Sequence, residues 1–122
     1  MKPLNKKSAS ELLTRIDNGI DAEVKSLVMN NPTNFTIELS VQDKNRGYDW
    51  INIAFDVDGI CDANLLDEHK LSFLDLSDGI SLVFEGDLCG FGIGSYKNIS
   101  ALQASSLYLV GHSMKFEERL FQ

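Results

Sequence analysis

Two aspartates, Asp56 and Asp58, stand two residues apart in the run INIAFDVDG at residues 51–59. Side chains alternate on an extended strand, so both carboxylates project to one side. A carboxylate nucleophile beside a second, acid carboxylate is the pairing that phosphoryl transfer needs. The same residues also begin like a calcium loop, with Asp58 at the third position. Ile60 then takes the fifth position and Cys61 the sixth, where glycine is required, and no helix-loop-helix frame surrounds them. Cys61, His69, Cys89 and His112 have no paired ligand spacing, so no metal site is expected. GFGIG at residues 90–94 has the glycine content of a phosphate loop, and SYKNISALQ after it can supply a short helix. The P-loop lysine is missing, however. Glycines at alternate strand positions fit a bend, a bulge or close packing against a bulky neighbour better. No nucleophile-elbow motif surrounds a serine. The expectation is a chain without catalytic residues, metal or cofactor.

Over residues 51–59 the chain resembles the haloacid dehalogenase phosphatases, in which the first aspartate is the nucleophile and the second the general acid. The resemblance would give those roles to Asp56 and Asp58. Ile60 departs from the family's usual small hydroxylated or branched residue. The 66 residues after Asp56 alternate with period two and offer no series of crossover helices to complete a doubly wound site.

The elements that must position these residues read as follows. Ser8 and Glu11 fit a capping box, with Leu12, Leu13 and Ile16 on one helical face and Asn18-Gly19 as the stop. AEVKSLVMN at 22–30 reads as a strand ended by Asn30-Asn31-Pro32. In FTIELSV, Phe35, Ile37, Leu39 and Val41 share one face, and Thr36, Glu38 and Ser40 the other. Ile51, Ile53, Phe55 and Val57 share a face opposite Trp50, Asn52, Ala54 and Asp56, which makes an antiparallel hairpin. Trp50 is expected to pack in the core or stand as a binding anchor, with core packing favoured. DANLLDEHK is a helical turn or a crossing loop. LSFLDL, GISLVFE and LCGFGIG read as strands, the last two joined by a tight Gly86-Asp87 turn. SSLYLVGHSMKFEE reads as one long strand with Tyr108, Val110, His112, Met114 and Phe116 on one side and Gly111 at a bulge. The sum is an α+β fold: a β-rich single domain over residues 1–122, with an N-terminal helix and a mostly antiparallel sheet of about six strands. Residues 1–7 are expected to form a flexible basic tail.

The chain has a formal net charge of −7, distributed unevenly. Residues 48–90 carry ten acids (Asp49, Asp56, Asp58, Asp62, Asp67, Glu68, Asp75, Asp78, Glu85 and Asp87) against one base, Lys70. Such a stretch repels nucleic acid and anionic membranes and attracts a basic protein surface. No signal peptide or membrane span is read. Two cysteines without a motif read as free thiols in a reducing cytoplasm, although the sequence leaves a single bridge open.

The whole pattern resembles the small immunity proteins that bacteria keep beside polymorphic or contact-dependent toxins. WINIAFDVDGI, GISLVFEG and SSLYLVGHSMKFEE carry the likeness. It is a likeness of overall pattern, so no family site residue transfers. It implies a cytoplasmic protein that neutralises a cognate toxin, often a basic nuclease, by one-to-one binding. The expected contact residues are Asp56, Asp58, Asp62, Asp67, Glu68, Asp75, Asp78, Glu85 and Asp87, with Trp50 as anchor. Two alternatives remain: a small enzyme using Asp56 and Asp58, and an assembly subunit that pairs through a strand edge, with itself or another chain.

Overall fold

The computed structural model describes residues 1–121, and for Glu68 the backbone alone. The chain is α+β, as the alternation predicts, with more strands than expected and two sheets in place of one. A short β1 (Lys2–Pro3) precedes helix α1 (Lys6–Arg15). β2 (Glu23–Asn31), β3 (Asn34–Asp43) and β4 (Asp49–Asp58) follow as a meander, and then β5 (Asp62–Asn64). A 3-10 segment at Glu68–Phe73 leads to the hairpin of β6 (Ile80–Glu85) and β7 (Leu88–Ile93). The one-turn helix α2 (Ile99–Leu102), β8 (Tyr108–Gly111) and β9 (Ser113–Arg119) complete the described chain. One sheet has the order β1-β9-β4-β3-β2 and the other β5-β8-β7-β6; every pairing is antiparallel.

The inner faces meet across one core. Phe35, Ile37, Leu39, Ile53, Phe55, Val57 and Met114 come from the first sheet, and Phe91, Ile93 and Leu109 from the second. The rings of Phe55 and Phe91 meet across it at 5.5 Å, a favourable tilted contact. Helix α1 adds Ala9, Leu12 and Ile16, spaced to lie along one helical stripe.

Several expectations need correction. Residues 1–7 are not a tail: Lys2 and Pro3 pair with Phe116 and Lys115, and Leu4 is buried. The capping box lies three residues earlier than Ser8–Glu11. Asn5 Oδ1 accepts the Ser8 amide at 2.9 Å, and Ser8 Oγ accepts the Asn5 amide at 2.9 Å. LSFLDL is not a strand, because its first three residues end the 3-10 segment. SSLYLVGHSMKFEE is two strands in two sheets. The break falls at His112, whose amide donates to the Asp58 carbonyl at 2.9 Å. Gly111 is a crossing point instead of a bulge: a Cβ there would stand 2.5 Å from the Asp58 carbonyl oxygen. Only glycine lets β8 run this close to the end of β4. As a result Tyr108 and Val110 face outward on one sheet, while Met114 faces the core from the other.

Candidate functional site

β3, β4 and β9 lie side by side, so their outward residues form a single surface. It comprises Asn34, Thr36, Glu38, Ser40 and Gln42; Trp50, Asn52, Ala54, Asp56 and Asp58; and Lys115, Glu117 and Arg119. From Trp50 to Asp58 it runs about 27 Å along the strand. Among the described residues no helix or strand lies over it, but its middle, at Ser40, Asn52 and Ala54, is buried, and Asn52 Nδ2 donates to the Leu120 carbonyl at 3.4 Å.

The polar groups of this face are tied to one another. Asn34 Nδ2 donates to Asp56 Oδ1 at 2.8 Å and to Asp58 Oδ1 at 3.3 Å. Thr36 Oγ1 donates to Asp56 Oδ2 at 3.1 Å. Asn30 Nδ2 donates to Asn34 Oδ1 and Thr36 Oγ1 from the neighbouring strand. Further along, Ser40 Oγ donates to Asn52 Oδ1 at 2.6 Å, and Asn52 Nδ2 reaches Glu38. Arg119 bonds Glu38 at 2.6 Å and Glu117 at 3.1 Å, which raises its pKa, mainly through the Glu38 hydrogen bond. Glu38 and Glu117 are thus partly neutralised. Among the described residues no ion pair includes Asp56 or Asp58; neutral donors hold both, and Lys115 stands directly across from Asp56 on β9. At the opposite end Trp50, 40% exposed, meets Phe121 with ring centroids 6.3 Å apart; Tyr48 and Leu120 are also exposed. Trp50 is therefore not a core residue. It stands on the open face, as the alternation opposite Ile51 and Ile53 requires.

The predicted acidic residues do not form one surface. Asp56 and Asp58 lie on this open face. Asp62 lies on the outer side of the other sheet, where it accepts hydrogen bonds from Tyr108 Oη at 3.0 Å and Gln103 Nε2 at 2.9 Å. Burial first, and then that bond, raises the Tyr108 pKa. Asp67, Asp75 and Asp78 are exposed along the connection between β5 and β6. The Ser77 amide donates to Asp75 and holds its carboxyl below the usual range. Glu85 and Asp87 sit at the β6–β7 turn, and the Glu68 side chain lies outside the described residues. Adjacency in sequence brought these residues into one list, whereas the fold sends them to both sides of the molecule and to its rim.

The aspartate pair points one way, as its spacing predicts, and shares the Asn34 amide. Both oxygens of Asp56 accept hydrogen bonds, and four surface clefts of 290 to 520 Å³ are lined by residues other than this pair. Among the described residues no three metal-ligating side chains cluster. Cys61 and Cys89 are free, the first exposed and the second buried. They flank β8 on opposite sides, about 10 Å apart at strand spacing, which is too far for a bridge without backbone movement. Burial, with the nearby Cys61 second, pushes the Cys89 thiol up to about 11.

At the rim of the core, Arg15 of α1 bonds Asp43 through Nε at 3.0 Å and Nη2 at 2.6 Å, and Glu118 through Nη1 at 2.6 Å. Arg46 completes the cluster at 3.3 Å from Asp43 and 3.2 Å from Glu118. The Asp43 side chain has no exposed surface, and the Arg15 hydrogen bond holds its carboxyl below the usual range. This cluster joins the helix to the first sheet, so its role is structural.

The glycine run has the packing role expected of it. A Cβ at Gly90 or Gly92 would come within 2.4 or 2.2 Å of Leu102 in α2. No protein-family model matches the chain, and neither the curated proteins nor the solved structures contain a match to it. Among the described residues no helix is long and apolar enough to cross a membrane.

Proposed function

We propose that the chain is a stoichiometric binding protein of the immunity type, which neutralises a basic toxin domain in the cytoplasm through the open face of the first sheet. The observation that carries this reading is the composition of that face. It joins an exposed aromatic pair, Trp50 and Phe121, to the carboxylates Asp56 and Asp58 along one rigid surface. Aromatic anchors supply affinity, and carboxylates outside any ion pair steer a cationic partner and hold its register. Their hydrogen bonds fix the polar side chains before contact, which lowers the entropy lost on binding. Co-expression with the toxin encoded by the neighbouring reading frame tests the proposal. Protection of the cells by the intact chain supports it; killing at full immunity-protein expression sinks it.

A further inference from the structure

Four strands lie at sheet edges, and three are blunted. β1 has two residues, one of them proline, and β5 has three. β6 has six residues and is packed by α1, α2 and the turn at Asp17–Gly19, three elements against the 3-10 segment alone on β2. The fourth, β2, has nine residues, and among the described residues its backbone hydrogen-bonds only to β3. In an antiparallel pair alternate residues turn their N–H and C=O away from the partner, so β2 presents a row of free donors and acceptors. Only another extended strand matches that row. Register shifts fall at Lys25 and at Asn30, so β2 is regular from Ser26 to Met29; from Ser26 to Asn31 it carries no charge. Val28 and Met29 are 48% and 59% exposed, and the 3-10 segment packed on β2 presents Phe73, 84% exposed.

We propose that β2 pairs antiparallel with β2 of a second copy of this chain, about a two-fold axis at Val28. The strand is self-complementary in that register. Within the regular part of the strand Leu27 faces Met29 and Val28 faces its own copy, so apolar residues meet apolar ones, with the polar Ser26 and Asn30 at the two ends. Lys25 lies beyond this segment, toward the uncharged Asn31 of the other copy, so no like charges are opposed. The two five-stranded sheets become one continuous sheet. Antiparallel addition preserves the alternation, so both open faces lie on the same side, side by side. The pairing rests on the β2 edge alone and is independent of what the open face binds.

Sedimentation equilibrium of the full chain, without any partner, tests it. The expected result is a monomer–dimer equilibrium weakened about tenfold or more by Val28→Lys, which opposes two like charges at the axis. A melting curve close to the parent's would show that the variant is folded. In a Cys61→Ser background, Val28→Cys should give a covalent dimer with a short bismaleimide, whereas Glu11→Cys on α1 should not. A parent chain that stays monomeric at every concentration overturns the proposal. So does a dimer that Val28→Lys leaves intact, or equal cross-linking at both positions.

Discussion

On the four-stranded sheet, the residues turned away from the core include Val83, Gly90, Gly92, Tyr108 and Val110, and α2 lies over them through Ile99 and Leu102. On the five-stranded sheet they include Thr36, Glu38, Asn52, Asp56 and Glu117, and no helix lies over them. Both sheets are antiparallel and back onto one core, so the pleat does not explain the difference. Side-chain size and polarity do. Two glycines at alternate positions of β7 make a trough into which Leu102 fits, and apolar neighbours close it. The other face has no trough. Its polar groups satisfy one another, at the buried middle with Ser40 and Asn52 as well as at the exposed ends, and no buried side-chain polar atom among the described residues lacks a partner. One outer face serves the fold, and the proposed function assigns the other to a partner.

The largest effect on this contrast should come from filling the trough. Gly92→Val would drive side-chain atoms into Leu102 and lift α2, destabilising the protein by about 3 kcal/mol in urea denaturation. A loss below about 1 kcal/mol would mean that α2 is not seated as described.

Next comes the clamp at the core rim. Asp43→Asn leaves Arg15 without its buried carboxylate and should cost about 2–3 kcal/mol near neutral pH. Asp43 is held low in the folded state, so its stabilisation is full above the ordinary aspartate value of about 3.9 and is lost as pH falls through the lowered folded value. The parent should therefore lose stability on acidification below about pH 4 more steeply than Asp43→Asn. Parallel acid titrations of the two would contradict the assignment.

The smallest effect on stability belongs to the open face. Trp50→Ala and Asp58→Lys should each shift the unfolding free energy by under about 1 kcal/mol, since both side chains are exposed. A larger loss would mean that this face supports the fold.

Much of the architecture was legible because its code is local. The inward set Ile51, Ile53, Phe55 and Val57 and the turn at Gly86-Asp87 follow from alternation and turn chemistry. The same alternation already separated Thr36, Glu38 and Ser40 from the core, and hairpin pairing with Asn52 and Asp56 would have assembled half of the open face. The other half was hidden. Lys115, Glu117 and Arg119 join it only because β9 leaves β8 at His112 and crosses to β4, a long-range choice that period-two patterning does not encode. The acidic stretch misled for the same reason: sequence proximity put Asp56 and Asp62 together, and the passage between sheets turned them to opposite sides.

The division between the two outer faces is tested most directly by protection of toxin-expressing cells, with one variant on each face. Trp50→Ala combined with Asp58→Lys changes the open face, and Ser100→Lys changes the exposed side of α2. The account predicts that the first variant folds but loses protection, while the second protects as the parent does. Full protection by the open-face variant, or loss of protection through Ser100→Lys in a folded protein, would contradict it.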